Sequence, residues 1–443
     1  MADKDKIDRD VSAVLASTGA PSASIAVVRD GKLVYAQAYG DGRLAPDMKA
    51  LPTMRYAIGS VSKQFTAAAI LLLEEDGKLT LDDKVSKWYP ELTRADEIFL
   101  RHLLAMTSGY RDYWPQDYVW TDMRRPATAV SIMREWAARP LDFEPGTKWQ
   151  YSNTNYVIAA AVVEKVTGKP FLQFLRERIF DPLEMKSVVD FDVAPLSETD
   201  AGGYLRNALG PPRPAPKEGT GWLFGAGQLA MTAHDLALWD IAMINRKALK
   251  VSSYKSKQTD TILEAGTSTG YGLGVRVAAP GGRRRISHGG AVSGYTTINH
   301  VYPDDRAAIV VFTNIYPGAA GAPGQIADKI AGILFRDGAD EDAEALKTAR
   351  RLYDGLARGE IDRSVLSKSA DEYFSVQTLA DYGESLAPLG DPKEFVQTGK
   401  SQRGGMTIRT YRIKPKDKDV TLELTTMIRP DGTIDQYIIA RAG

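Results

Sequence analysis

Ile58-Gly59-Ser60-Val61-Ser62-Lys63 runs directly into Gln64-Phe65-Thr66-Ala67-Ala68-Ala69-Ile70-Leu71-Leu72-Leu73-Glu74-Glu75, with Gly77 just beyond. A run of helix formers closed by a glycine predicts a helix whose first turn carries Ser60 and Lys63. Residues three apart share a helix face, so the hydroxyl and the amine become neighbours. A serine hydroxyl is a poor nucleophile until a nearby group removes its proton, and a helix N-terminus favours the negative charge that then develops. Ser-x-x-Lys supplies both conditions. On its own it is also a common structural arrangement, a serine cap followed by a first-turn lysine.

Outward from this segment, residues 24–28 and 33–39 read as two strands joined at Asp30-Gly31, a dipeptide suited to the positive φ angles of a tight hairpin. Three more strands are expected at 284–288, 296–302 and 307–313, followed by a helix at 327–335. Between these two regions, residues 61–76, 99–107, 128–138, 154–166, 171–178 and 233–245 carry helical periodicity. The fold class expected is α/β of the α+β type, an antiparallel sheet flanked by helices plus a mostly helical lobe, with a cleft between them. The catalytic domain is placed at 1–338, its α/β lobe at about 1–88 and 265–338 and its helical lobe at about 89–264. The chain turns acidic and flexible at Asp337-Gly338-Ala339-Asp340, and a small C-terminal α+β domain is expected over 339–443. That domain should open with a helix at 343–358 and continue in strands near 393–400, 406–414, 419–428 and 434–440.

Composition narrows the function. Lys plus Arg and Asp plus Glu each number 56, with no long block of one sign, so neither nucleic acid nor an anionic membrane is indicated as a partner. The longest apolar runs, 65–73 and 157–163, fall short of the roughly 20 residues that span a bilayer. There is no cysteine, which removes disulfides, thiolate nucleophiles and Cys-based metal sites. The N-terminus MADKDKIDRD has no apolar h-region, so no signal peptide is read in this chain; a cytoplasmic protein and a periplasmic one with its signal removed look alike here. The four histidines form no metal-ligand spacing, so no metal and no cofactor is expected. His102, His234 and His300 read as packing or capping residues, and nothing sets the oligomeric state.

Two further elements join Ser-x-x-Lys. Tyr151-Ser152-Asn153 follows Glu144-Pro145-Gly146 and leads into a long apolar helix. A lysine beside a tyrosine favours the phenolate, so Tyr151 is read as the general base, and Asn153 as the group that orients Lys63 and the substrate amide. His288-Gly289-Gly290 ends a strand, where two glycines let the backbone approach a ligand; the alternative is a tight turn. The amides of Ser60 and Ala291 are the natural pair to hold a developing oxyanion.

In this order the three elements resemble the serine β-lactamase and penicillin-binding-protein superfamily. The tyrosine version is similar to class C β-lactamases, DD-peptidases, D-aminopeptidases and family VIII carboxylesterases, the last and the D-aminopeptidases being nearest in motif. The resemblance covers about residues 5–336 and takes in Leu100-Arg101-His102-Leu103-Leu104-Ala105-Met106-Thr107-Ser108-Gly109 and Gly225-Ala226-Gly227-Gln228-Leu229. It implies a Ser60 acyl-enzyme, with Lys63 and Tyr151 catalytic and Asn153, His288, Gly289 and Gly290 binding substrate.

One departure bears on the substrate. Class C β-lactamases carry Lys-Thr-Gly where this chain has His288-Gly289-Gly290, and that lysine helps hold a substrate carboxylate. Histidine is largely neutral at pH 7, which shifts weight toward esters. Arg283, Arg284 and Arg285 lie just upstream and offer to restore positive potential, or form a solvated strand end. The reading is therefore a carboxylesterase for short-acyl esters. The alternatives are a D-stereospecific aminopeptidase or DD-peptidase, a weak β-lactamase, and, from another class, a non-catalytic binding protein of the penicillin-binding type. The partner expected is a small ester, amide or short peptide.

Gly266-Thr267-Ser268-Thr269-Gly270 matches the Gly-x-Ser-x-Gly of α/β-hydrolases, but it enters a glycine-rich strand at 271–277 instead of a helix, so a surface loop is expected. Tyr110, Tyr113, Trp114, Tyr118 and Trp120 either wall an acyl pocket or pack in the core. The C-terminal unit is similar in pattern to cystatin-like or NTF2-like domains, with a structural or assembly role.

Overall fold

The computed structural model describes residues 2–416 and 418–442. They divide into two compact units, with the break between Leu334 and Phe335. No helix among the described residues is long and apolar enough to cross a membrane.

The first unit is built on an antiparallel sheet. Strands β1 (Ser22–Arg29), β2 (Lys32–Leu44) and β3 (Asp47–Lys49) come from the start of the chain, and β4 (Arg276–Ala278), β5 (Arg285–Val292), β6 (Tyr295–Tyr302) and β7 (Ala307–Thr313) from far downstream. Their order is β3-β2-β1-β7-β6-β5-β4. The early hairpin thus joins the late strands through β1 and β7, Ala26 opposite Val310. Asp30 and Gly31 both take positive φ, 54° and 71°, the geometry whose twist matches a two-residue hairpin. Every residue of β7 is buried, as a strand covered on both faces should be. Helices α1 (Ala2–Thr18), α4 (Ala233–Asn245) and α5 (Ala322–Leu334) pack on this sheet. The sequence reading missed α1, although its buried Ile7, Val11 and Val14 fall at helical spacing.

Two long helices of the first unit are α2 (Lys63–Glu75) and α3 (Asn153–Thr167). Both helices are buried over their first 11 residues. Such elements are stable only inside a core, and each packs on the other there. Helix α3 stops at Gly168, which takes the left-handed conformation that closes a helix. Helix α4 starts at Thr232, whose hydroxyl accepts from the Asp235 amide at 3.2 Å. The strand expected at 271–277 is not formed; after an isolated bridge from Tyr271, only Arg276–Ala278 pairs with the sheet.

The second unit opens with the helix Arg336–Leu356, which includes residues 337–340, read from the sequence as a flexible link. A four-stranded antiparallel sheet in sequential order follows: Pro392–Arg403, Met406–Pro415, Leu422–Ile428 and Ile434–Arg441. Leu352, Leu356, Phe374, Tyr411, Leu424 and Tyr437 form its core. Helices Lys368–Tyr373 and Val376–Leu386 were not foreseen. Both carry a readable start signal, since Ser367 accepts from the Ala370 amide and Ser375 from the Thr378 amide.

What positions the site is the contact of β5 with the turn before α2. A Cβ on Gly290 would lie 1.9 Å from the Ile58 carbonyl oxygen and 2.4 Å from Thr297 Oγ1, so this strand residue has no room for a side chain. The glycine therefore serves the close approach of two protein backbones, where the sequence reading had a ligand. Gly289 is exposed in the cleft, and a Cβ there would meet nothing nearer than 3.6 Å. Gly290→Ala is expected to lower stability by about 1–3 kcal/mol, the scale of an overpacked site, and to slow labelling of Ser60 by a fluorophosphonate. Gly289→Ala is expected to leave thermal unfolding near wild type, so equal melting temperatures for the two variants would contradict the packing account.

Candidate active site

Gly59–Ser62 forms a single 3-10 turn, and the α-helix begins only at Lys63. Ser60 therefore lies one turn ahead of α2 and does not cap it. In a 3-10 turn residues i and i+3 eclipse, and Lys63 Nζ donates to Ser60 Oγ at 3.0 Å. The same nitrogen reaches Asn153 Oδ1 at 2.7 Å and the Ala226 carbonyl at 2.8 Å. Three separate segments thus converge on one amine that has 0% exposure. Burial lowers the Lys63 pKa to about 7, while the charge of Asp112 acts in the opposite sense.

Tyr151 lies against this group, its ring centre 4.9 Å from Lys63 Nζ. Part of its side chain is open to the cleft. Burial nonetheless pushes the phenol well above its ordinary range, with Tyr271 adding to the effect, and the interaction with Ser60 only partly opposes it. The sequence reading had Lys63 keeping Tyr151 ionised as the base. Desolvation penalises the charged form of both groups, which favours amine plus phenol over ammonium plus phenolate.

His288 is buried between two partners, Tyr271 Oη at 2.9 Å from Nε2 and the Gly289 carbonyl at 2.6 Å from Nδ1. The carbonyl accepts, so Nδ1 carries the proton and Nε2 accepts from the phenol. Burial, with Lys63 nearby, drops its pKa to about 3, leaving a neutral ring. Its hydrogen-bond partner is Tyr271; Tyr151 only packs on it, with 6.3 Å between ring centres. Opposite the turn, Gly59 takes φ +51°, and a Cβ there would sit 2.8 Å from the Ala291 nitrogen. The backbone just before Ser60 is thereby pressed against Ala291.

These residues line a cleft of about 670 Å³. Ser60, Tyr151, Asn153, His288, Gly289, Gly290 and Ala291 all face it, while Lys63 lies beneath. Of the five aromatics only Tyr113 and Trp114 line the cleft. Tyr110 is buried, Tyr118 is exposed, and Trp120 stacks edge-on to Trp222 at 5.4 Å. The arginines singled out in the sequence lie elsewhere: Arg283 pairs with Asp305, Arg284 with Asp304, and Arg285 lies beside Tyr302. The cleft does hold a cation that sequence reasoning missed, Arg276, exposed and 5.6 Å from the Trp149 ring centre. Only the sheet register reveals it, since β4 places Arg276 opposite Ser287. Asp112 was missed as well. Ser268 sits in an exposed loop and donates to Asp260, with no basic group among its hydrogen-bond partners.

The Beta-lactamase family profile matches residues 7–331, and the chain belongs to that family, in a superfamily of serine hydrolases. The putative penicillin-binding protein PbpX of Bacillus subtilis is 28% identical over 316 residues, covering 71% of this chain and 76% of that one. The D-aminopeptidase of Brucella anthropi is 29% identical over 304 residues, which make up 68% of this chain but 57% of the relative's own length. Among solved structures, a D-stereospecific amidohydrolase from Streptomyces superposes with a TM-score of 0.63 at 25% identity, covering 74% of this chain and 98% of its own. An octameric penicillin-binding protein homologue from Pyrococcus abyssi gives 0.62 at 20% identity over 98% of this chain and 99% of its own, a likeness of fold that takes in the C-terminal unit.

Ser60→Ala is expected to abolish hydrolysis of p-nitrophenyl butyrate, and Ser268→Ala to leave it near wild type. Lys63→Ala and Tyr151→Phe should each lose on the order of 100-fold or more in kcat, the scale of a missing proton-transfer group. An inactive, folded Ser268 variant beside an active Ser60 variant would overturn the assignment.

Proposed function

We propose that this chain is a serine amidase that cleaves small D-amino-acid amides or short D-peptides through an acyl-enzyme on Ser60. The observation that carries the reading is the Lys63 amine, cut off from water, with a pKa near 7 and 3.0 Å from a serine hydroxyl that faces an open cleft. At neutral pH a large share of Lys63 is unprotonated and takes the Ser60 proton as Oγ adds to the carbonyl carbon. The oxyanion lies between the Ser60 and Ala291 amides. Tyr151, as a phenol, gives its proton to the departing amine and recovers one from the Lys63 ammonium. Water then adds to the acyl-enzyme, loses its proton to the same pair and releases the acid, restoring Ser60.

The choice of an amide over an ester rests on the likeness to the D-aminopeptidase and the D-stereospecific amidohydrolase. Activated esters have better leaving groups than amides, so ester hydrolysis accompanies the amidase activity. The neutral His288 cannot anchor a carboxylate as a lysine does, and Arg276 is the cation available in the cleft for that purpose.

Wild-type protein is assayed side by side on D- and L-alanine p-nitroanilide, p-nitrophenyl butyrate and nitrocefin. D-anilide turnover above L is expected, with the ester also cleaved and nitrocefin slow. Ester cleavage without any D-anilide turnover would return the carboxylesterase reading, and a Ser60 that no fluorophosphonate labels would leave a binding protein. Because Lys63 must be deprotonated to act, kcat/KM should rise as pH passes through about 7. A rate that falls over that interval would contradict Lys63 as the base. Arg276→Ala should raise KM for D-dipeptides with a free carboxylate and leave D-alanine amide little changed.

A further inference from the structure

The side-chain amide of Asn153 has two unlike ends, and only the oxygen can usefully face Lys63. In the structure Oδ1 accepts from Lys63 Nζ at 2.7 Å. The NH2 end turns away and donates to Asp112, 3.1 Å from Oδ1 and 3.4 Å from Oδ2. The Asn153 backbone amide reaches the same Asp112 oxygen at 2.9 Å, and the Trp114 amide reaches it at 3.2 Å. Asp112 is 8% exposed, at the inner end of the cleft. A carboxylate only accepts hydrogen bonds, so it can satisfy three N–H donors and cannot tolerate the reversed amide, which would turn an oxygen toward it and an NH2 toward the lysine.

We infer that Asp112 is a positioning residue for the Ser60–Lys63 pair, locking the Asn153 oxygen onto Lys63 and placing a negative charge beside the amine. This rests on the reading of Ser60 as nucleophile and Lys63 as its base. An isolated buried carboxylate is costly, and burial does raise the Asp112 pKa; the Asn153 and Trp114 amides and the Lys63 charge work against that rise. The charge acts on Lys63 in turn, raising a pKa that burial lowers. The other titratable groups about Lys63 are the Tyr151 and Tyr156 rings, at 4.9 Å and 5.5 Å, and the neutral His288. Lys257 donates to the carbonyl of Gln64, the next residue along α2. Among the groups whose charge acts on Lys63, Asp112 is the carboxylate.

The test separates charge from shape. Asp112→Asn keeps an acceptor oxygen but loses the charge, so the acid limb of kcat/KM should move down by about one pH unit, the low end of the effect of an opposite charge at this range. Asp112→Ala also frees the Asn153 amide, and kcat on the plateau should fall about 10- to 100-fold, as when an outer partner of a reacting group is removed. Fluorophosphonate titration counts functional Ser60 in each variant, and thermal unfolding checks the fold. A residue that merely held the loop would lower the melting temperature and leave the limb in place. If Asp112→Asn does not fold, Asp112→Ser and Asp112→Glu make the same comparison, since the serine should shift the limb and the glutamate should not. A limb that stays put, or moves up, in an uncharged variant with full Ser60 titre overturns the inference while leaving the site assignment standing. An active Ser60→Ala variant, or a wild type that takes no label, overturns the site assignment itself and the inference with it.

Discussion

A lysine side chain with no access to water can persist only if its hydrogen bonds are met, and the catalytic unit is arranged to meet those of Lys63. Its acceptors come from the turn before α2, the first residue of α3 and the loop at Ala226. Moving any one of these elements would take a partner from a buried amine, at a cost comparable to a lost buried hydrogen bond. The same burial that makes the group costly makes it useful, because a desolvated lysine gives up its proton near neutral pH. Burial by itself is not enough. Lys257 is equally buried, with its pKa likewise lowered to about 7, but the hydrogen bonds of its amine go to the carbonyls of Gln64 and Leu273. The two lysines share the effect of burial, but the Asp112 charge acts on Lys63 alone, and only Lys63 donates to a serine hydroxyl that faces the cleft.

Much of the fold was legible because its signals are local. Asp30-Gly31 marked the hairpin, and the runs at 307–313 and 233–245 appear as strand and helix with the same limits. The clustering of Ser60, Lys63 and Asn153 was also readable, because Ser-x-x-Lys and Tyr-x-Asn are short patterns whose spacing survives without knowledge of the fold. What the sequence hid depends on register and on contacts between distant segments. Arg276 becomes a cleft residue only through the pairing of β4 with β5, whereas of the three arginines closer to His288 in the chain, Arg283 and Arg284 pair with aspartates and Arg285 lies beside Tyr302. Gly290 looks like any strand-end glycine until Ile58 is placed against it. The order of proton affinities at Lys63 and Tyr151 could not be read from residue types, since it follows from how completely each group is desolvated.

The cleft combines a neutral histidine, where class C β-lactamases carry a lysine, with a separate exposed guanidinium, that of Arg276. The guanidinium of Arg276 lies 5.6 Å from the Trp149 ring centre, and its residue pairs across the sheet with Ser287, the neighbour of His288.

The central claim is that the acyl group is carried by the oxygen of Ser60. Intact-mass and peptide-mapping spectrometry of protein quenched during turnover of a slow p-nitrophenyl ester of an N-acyl-D-amino acid reads this directly. The account predicts one acyl adduct per chain, on the peptide containing Ser60, absent from Ser60→Ala. An adduct mapped to Ser268 or any other residue, or steady turnover by Ser60→Ala, would contradict it.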